Sequence, residues 1–354
     1  MRLAKVLGSI ACVCVASACV RAQLTPDRTY YGVGRPIPMQ VHIPEGLAGS
    51  EAYVELHDAR SVHRDPADVV ERPAPVRSAV EAGPVNLAVL FPSIWGDPGA
   101  PVRYAQLVVG DVPVGSSVVV APMRSPRRAM LYSRADGKAY YVDPVTGRET
   151  FEPRAGEIVY TPDPPAFTGV CAWVDRHVVF ETSLGTIEFR LRPDEAPNTV
   201  QNFMRLVEGG FYTDVVFHRV VPRTRTGEPF VVQVGDPTGE GSGTPGYAID
   251  LEASGLRHEF GVLSMARDAD PNTNGSQVFV CLSRAGTARL DGQYTAFGRA
   301  VWGADTILAL AATPVKGDRP IDPPVLRGAR LIDAPPIGRL PAWAERPADA
   351  PEAR

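Results

Sequence analysis

The sequence predicts a mainly β protein with two β-rich units. Most apolar residues occur in short runs that alternate with polar residues and are separated by Pro and Gly, which is typical of half-buried strands. Long runs with helical spacing are rare. The chain has 354 residues, of which 44% are hydrophobic, so its length suits two domains or one large one.

A secretory signal peptide is predicted over residues 1–22. Two basic residues precede the apolar stretch 6–20, which is short for a membrane span and is followed by small residues. Two processing routes fit this segment. One is cleavage before Gln23, and the other is lipidation of Cys19, which follows a weak lipobox. The segment therefore predicts an exported protein of the periplasm or cell envelope, either soluble or held by a lipid.

Residues 23–122 are predicted to form a β-sandwich-like domain, with an immunoglobulin-like arrangement as one candidate. The apolar runs that fit strands are residues 38–43, 52–56, 85–90, 104–109 and 117–120. Residues 123–170 are predicted to be a hairpin segment and a linker. Asp136-Gly137 is a strong turn signal between two apolar runs, and the Pro-rich stretch 160–165 follows.

The second predicted unit spans residues 176–333. A helix is predicted over 196–206, because Pro197 suits a first turn and Val200 and Phe203 recur at helical spacing. The other predicted elements are a hairpin over 178–191, a second helix over 304–312 and a strand over 325–332. The Pro- and Ala-rich residues 334–354 are predicted to be disordered.

Three motif blocks in this unit carry most of the functional information. They are Phe217-His218-Arg219-Val220-Val221-Pro222, Phe230-Val231-Val232-Gln233-Val234-Gly235-Asp236-Pro237-Thr238-Gly239, and Ser264-Met265-Ala266 with Asn272-Thr273-Asn274-Gly275-Ser276-Gln277-Val278-Phe279. They resemble the signature blocks of the cyclophilin-type peptidyl-prolyl cis-trans isomerases, and an exported bacterial member is expected. The resemblance covers residues 178–332 and implies a closed β-barrel capped by two helices.

The resemblance implies Arg219 and Gln233 as the catalytic residues. Rotation about an X-Pro amide has a barrier of about 18–20 kcal/mol, and in the twisted transition state the proline nitrogen regains a lone pair. An arginine aimed at that nitrogen stabilises only the transition state. Gln233 is expected to orient Arg219 and to hydrogen-bond the substrate. The substrate-binding residues that the resemblance implies are Phe230, Val231, Ala266, Arg267, Gln277, Phe279, Leu290 and Tyr294.

Some positions depart from the common family pattern. Arg289 stands where a pocket tryptophan is usual, Tyr294 where a histidine is usual, and Val231 where a methionine is usual. We expect the first change to weaken the binding of cyclosporin-like ligands more than catalysis. An inserted charged run, residues 223–229, lies beside the groove and is expected to alter which peptides enter. His218 is expected to be structural, because the reaction moves no proton.

The predicted function is peptidyl-prolyl isomerisation that assists the folding of exported proteins, with proline-containing polypeptides as partners. The alternative is a module that binds proline peptides or tethers a partner with little turnover. No cofactor or metal is expected, since the histidines lack metal-ligand spacing. The net charge of −4 argues against nucleic acid, and a membrane is expected only through a lipid on Cys19. Cys171 and Cys281 are expected to be buried thiols, with a disulfide as the alternative.

Overall fold

The computed structural model describes residues 23–62, 74–96, 99, 101–125, 132–133, 139–142, 149–151 and 165–338. The predicted signal peptide, its Cys19 and the Asp136-Gly137 turn lie outside these residues, as does the tail beyond Gly338. None of the helices in the described ranges is long and apolar enough to cross a membrane.

Strands dominate both parts of the described chain. The N-terminal part contains β1 (Gln23–Pro26), β2 (Tyr30–Gly32), β3 (Pro38–His42), β4 (Ala52–Asp58), β5 (Val76–Ala79), β6 (Gly83–Asn86), β7 (Arg103–Val109), β8 (Val112–Pro113), β9 (Val118–Ser125), β10 (Tyr132–Ser133), β11 (Ala139–Val142), β12 (Glu149–Phe151) and β13 (Ala166–Val174). The C-terminal part contains β14 (Arg176–Thr182), β15 (Gly185–Leu191), β16 (Val215–Val216), β17 (Arg219–Val221), β18 (Val231–Val234), β19 (Val262–Met265), β20 (Val278–Cys281), β21 (Ala296–Trp302), β22 (Val315–Lys316), β23 (Arg319–Pro320) and β24 (Val325–Asp333).

Helices are few and mostly short. They are α1 (Ala59–Val62), α2 (Leu87–Leu90), α3 (Ser93–Gly96), α4 (Pro197–Glu208), α5 (Arg284–Thr287) and α6 (Ala304–Ala311), with 3₁₀ turns at Glu45–Leu47 and Ala288–Leu290. The mainly β fold class predicted from the sequence is therefore confirmed.

Two sheets of the N-terminal part share one apolar core. The smaller has the order β1-β3-β6, and the larger has the order β2-β13-β9-β7-β4-β5, with β8 paired to β7. Leu24 and Met39 of the smaller sheet pack in the same buried cluster as Val54, Leu107 and Val120 of the larger one. Alternation along each strand places these side chains on the facing surfaces.

The prediction of a strand over residues 85–90 is wrong from residue 87 onward, where the chain is helical. The chain leaves β6 at Asn86 and turns into α2, because the Asn86 side chain accepts a hydrogen bond from the Ala88 backbone N–H at 3.1 Å and caps the helix. The same side chain accepts from the Ile37 backbone N–H at 2.9 Å, which ties the turn to the sheet. Capping by a single asparagine thus overrides the apolar pattern.

The segment predicted as a hairpin and linker, residues 123–170, includes part of a long strand of the first unit. Strand β13 pairs antiparallel with β9 and β2, so the larger sheet extends to Val174. The hairpin pairing is present, since β10 pairs antiparallel with β11. Only Asp175 separates β13 from β14, where the second unit begins. Strand pairing between distant segments, which a local pattern does not encode, decides this boundary.

The C-terminal part forms a curled antiparallel sheet with the order β16-β24-β14-β15-β21-β19-β20-β18-β17. Its end strands, β16 and β17, are separated along the chain only by Phe217 and His218, so the two edges of the sheet lie beside each other. The enclosed core includes Phe180, Phe189 and Phe297. The nine strands therefore form a curled half-barrel, where the family resemblance implies a closed β-barrel.

Helices α4 and α6 pack on this barrel close to their predicted bounds. Pro197 occupies the first turn of α4, and Val200 and Phe203 are buried in the barrel core. Gly209 caps the helix and Gly210 follows with φ of +74°, a left-handed conformation that ends the helix.

The start of the predicted disordered tail contacts the N-terminal part. Ala334 is buried, and its carbonyl accepts a hydrogen bond from the Ser116 hydroxyl at 2.7 Å. The Ile337 backbone N–H donates to the Gln106 side chain at 3.0 Å. Residues 334–338 are therefore held against the N-terminal part by contacts that the composition of the segment does not predict.

Candidate active site

Arg219, Gln233 and Phe279 lie side by side on three neighbouring strands. Arg219 is opposite Gln233 in the β17–β18 ladder, and Gln233 is opposite Phe279 in the β18–β20 ladder. Side chains alternate along a strand, so Val232 and Val280 enter the barrel core while the row of three faces the outside. One row thus presents a cation, an amide and an aromatic ring.

These side chains open onto a groove of about 590 Å³. It is lined by Arg219, Phe230, Val231, Gln233, Ala266, Arg267, Phe279, Arg289, Leu290, Gln293 and Tyr294. Every predicted site residue except Gln277 lines this groove. Gln277 lines an adjoining concavity of about 200 Å³ that shares Gln233, Ala266 and Arg267 with it. Gln293 is a groove residue that sequence reasoning missed, because it lies in a turn outside the motif blocks.

The floor of the groove is apolar and almost fully buried. Phe230, Val231, Phe279 and Leu290 belong to a cluster distinct from the barrel core, and Phe279 is only 4% exposed. The ring of Phe279 packs edge-on against Tyr294, with 5.9 Å between centroids. Such a floor can accept a compact apolar ring such as that of proline.

The wall of the groove carries two stacked arginines. The Arg289 guanidinium lies 4.9 Å from the centroid of the Phe230 ring, and that of Arg267 lies 4.4 Å from the centroid of Tyr294. The Arg267 guanidinium also donates to the Gln293 carbonyl at 3.0 Å. The departures at positions 289 and 294 therefore form a cationic wall rather than leaving a gap.

A relay of side-chain hydrogen bonds leads to Arg219. Its Nη1 donates to Gln233 Oε1 at 3.2 Å, and Gln233 Nε2 donates to Gln277 Oε1 at 2.8 Å. Gln277 Nε2 in turn donates to the backbone carbonyls of Gly241 and Gly243 at 2.9 and 3.0 Å. On its other side, Arg219 Nε donates to Asp318 at 3.2 Å. Each amide is therefore oriented by the next one.

The relay ends on a loop that folds around Asp236, whose side chain is fully buried. Its carboxylate accepts from the Thr238 backbone and hydroxyl at 2.7 and 2.8 Å and from the Gly241 backbone. Burial alone would raise the pKa of Asp236, but the hydrogen bonds from Gly243, Thr238 and Gly241 outweigh it and lower the pKa to about 2. A buried anion thus holds the carbonyls that orient Gln277.

A serine, a histidine and an aspartate meet beneath the groove, and sequence reasoning missed them. His258 Nδ1 lies 3.0 Å from Asp291 Oδ1, and its Nε2 lies 3.0 Å from Ser264 Oγ. Ser264 and His258 are fully buried, and the serine hydroxyl donates to the Thr295 carbonyl. No substrate reaches this hydroxyl, so the trio is not a nucleophilic triad. The His258 ring stacks on Phe279 and supports the groove floor.

His218 is buried, and burial lowers its pKa, so its ring is neutral at pH 7. Its structural role stays a prediction. Cys171 and Cys281 are both free and buried, in β13 and β20 respectively. Among the described residues there is no group of three or more His, Cys, Asp or Glu side chains that could hold a metal ion.

Known proteins are similar to the C-terminal part of this chain. The family model "Cyclophilin type peptidyl-prolyl cis-trans isomerase/CLD" matches residues 177–330. "Peptidyl-prolyl cis-trans isomerase-like 1" of Aspergillus fumigatus is 41% identical over 162 residues, which are 44% of this chain and 95% of the fungal protein. "Peptidyl-prolyl cis-trans isomerase ppi1" of Schizosaccharomyces pombe is 46% identical over 154 residues, 42% of this chain and 93% of that protein.

A solved structure is also similar. It is a cyclophilin-type peptidyl-prolyl cis-trans isomerase of Cryptosporidium parvum in the presence of the dipeptide Ala-Pro, at 33% identity and a TM-score of 0.40. The similarity covers 43% of this chain and 96% of that one. The two fungal relatives are matched over nearly their whole length at more than 40% identity. The chain therefore belongs to the cyclophilin-type peptidyl-prolyl cis-trans isomerases.

Proposed function

We propose that this isomerase accelerates the folding of exported proteins and that Arg219 stabilises the twisted X-Pro amide. The observation that carries the mechanism is the row of Arg219, Gln233 and Phe279 above an apolar floor. In the proposed pose the proline ring lies on Phe279 and its nitrogen faces Arg219, which lines the same groove. Proline-containing polypeptides are the proposed partners.

The physical task is electrostatic. As the amide twists, resonance is lost and the proline nitrogen becomes a hydrogen-bond acceptor. A donor aimed at this nitrogen binds the transition state more strongly than the planar ground state, so it lowers the barrier. Gln233 fixes one nitrogen of the guanidinium and Asp318 another, which reduces the reorganisation needed during the reaction.

An isomerisation assay on a proline peptide tests the mechanism. We expect Arg219→Ala to lower kcat/KM about 100-fold or more, the range found for the loss of one preorganised donor. Arg327→Ala is the matched control, because Arg327 is an exposed arginine on β24 and lines neither concavity around Arg219. Equal rates for wild type and Arg219→Ala would exclude Arg219 as the donor.

The same assay separates the enzyme from the alternative, a binding or tethering module. Arg289 and the inserted run 223–229 are the features that favour the alternative, because they change the surface that a peptide meets. The module is supported if wild type binds the peptide in a fluorescence anisotropy measurement while the peptide isomerises at the uncatalysed rate.

Export to the periplasm or cell envelope rests on the N-terminal segment alone. Expression of the full chain in a bacterial host, followed by fractionation and intact-mass measurement, would identify its processing. A mature chain that begins at Gln23 supports a soluble form. Lipid labelling that is lost in Cys19→Ser supports an anchored form. A chain that stays in the cytoplasm with an uncut N-terminus would contradict export.

A further inference from the structure

A second concavity of about 490 Å³ adjoins the groove. It shares Arg219, Phe230 and Arg289 with the groove, so the two are continuous. Its outer wall is the inserted run, named here the 223–229 loop, which connects β17 to β18. The remaining lining residues are Val221, Ala285, Gly286 and Asp318, together with residues 223–226 of the loop.

Positive charge dominates the lining of this concavity. It carries four arginines, Arg219, Arg223, Arg225 and Arg289, against one acidic side chain, Asp318. Asp318 is already engaged, because its carboxylate accepts from Arg219 Nε at 3.2 Å. The protein as a whole has a net charge of −4, so the local sign is opposite to the overall one.

The 223–229 loop has its own hydrogen-bonded structure. The Thr224 backbone N–H donates to the Glu228 carbonyl at 2.8 Å, and the Gly227 N–H donates to the Thr224 carbonyl at 3.0 Å. Arg223 Nη1 donates to the Gly227 carbonyl at 2.8 Å. Gly227 has φ of +90°, which suits glycine in a tight turn. Glu228 belongs to the loop but does not line the concavity. The loop therefore presents Arg223 and Arg225 from a defined turn.

We propose that this concavity is a specificity subsite for an aspartate or glutamate close to the isomerised proline. The proposal rests on the isomerase function proposed above. Guanidinium groups bind carboxylates in a planar, two-bonded geometry that neutral side chains cannot match. An extended chain advances about 3.3–3.6 Å per residue, so a subsite that shares Phe230 and Arg289 with the groove reaches a residue only a few positions from the proline.

A set of peptides tests the subsite in the isomerisation assay. The set compares an alanine peptide with peptides that carry glutamate at one of the positions on either side of the proline. We expect a peptide with glutamate at one of these positions to have a kcat/KM about three- to tenfold higher than that of the alanine peptide at low salt. The ratio should be smaller at high salt, because exposed ion pairs are weak and screened. In the Arg223→Gln, Arg225→Gln double variant this ratio should fall towards one.

Two controls make the result specific. Arg327→Gln removes one exposed arginine from β24 that lines neither the groove nor the second concavity, and it should keep the wild-type ratio. Fluorescence anisotropy measures the affinity for the same peptides independently of turnover. We expect wild type to bind the acidic peptide more tightly than the alanine peptide, and the double variant to bind both equally. Equal binding of acidic and alanine peptides to wild type would overturn the subsite, even where the alanine peptide is isomerised normally. Binding preference with no turnover would instead support the subsite and exclude the proposed catalysis.

Discussion

Asp236→Asn tests whether the buried carboxylate holds the relay that ends at Arg219. Asp236 is fully buried, and its oxygens accept from Thr238 and Gly241. An asparagine of the same shape places an amide NH₂ where a carboxylate oxygen now accepts. One donor then faces another in a site with no exposure to water, and the Gly241 N–H loses its acceptor.

The magnitude follows from the pKa of this group. Hydrogen bonds lower the pKa of Asp236 from 3.8 to about 2, and each pKa unit corresponds to about 1.4 kcal/mol, so the ionised form stabilises the fold by about 2 kcal/mol at pH 7. Because the folded-state pKa is the lower one, this contribution is present above about pH 4 and is lost as the pH falls through about 2.

Urea unfolding, followed by circular dichroism at several pH values, measures the effect. We expect the free energy of unfolding of wild type to exceed that of Asp236→Asn by about 2 kcal/mol at pH 7. This difference should decrease steadily below about pH 4. Asp322→Asn is the matched control, since Asp322 is exposed and lines neither the groove nor the two concavities beside it. A gap of the same size at every pH would refute the electrostatic reasoning, and no gap at pH 7 would refute the role of the carboxylate.

The same variant connects stability to activity. The Gly241 and Gly243 carbonyls orient Gln277, which orients Gln233 and through it Arg219. We expect kcat/KM of folded Asp236→Asn to fall about tenfold, because small displacements of a catalytic group are costly. Asp322→Asn should keep the wild-type value. A folded variant with full activity would show that the loop does not position the relay.

Three further predictions concern other parts of the fold. Burial raises the pKa of Asp175, which lies between β13 and β14, to about 7. Asp175→Asn should therefore have a higher free energy of unfolding in urea than wild type at pH 8, and this difference should vanish below about pH 4. Burial raises the pKa of Cys281 to about 12 and also raises that of Cys171, so a thiol reagent should modify these two residues only after unfolding. Fast labelling of either of the two in the folded protein would contradict this. Gly235→Ala should lower the melting temperature sharply, since φ is +100° and a Cβ would lie 2.4 Å from the Ser276 carbonyl oxygen; an unchanged melting curve would count against this backbone geometry.

The resemblance of the motif blocks predicts the groove residues, and the local alternation of the strands agrees with it. In β18, strict alternation places Val231 and Gln233 on one face and Val232 on the other, and the structure has this arrangement. The helix bounds are equally local, because Pro197 and Gly209 mark the two ends of α4. Nine of the predicted site residues line one groove and Gln277 lines its neighbour.

What the sequence alone determined is the class of the fold and the helices, since these depend on periodicity and capping within a few residues. The set of side chains that line the groove was predicted from the resemblance of the three motif blocks to the cyclophilin family. Only the tertiary structure decided which distant partners meet. It assigned β13 to the N-terminal sheet, stacked Arg289 on Phe230, and placed His258 under Phe279. These contacts join residues far apart along the chain, and packing and hydrogen bonding rather than local pattern select them. The sequence predicts that the charged run 223–229 lies beside the groove, and only the tertiary structure brings this loop and Arg289 together in one concavity.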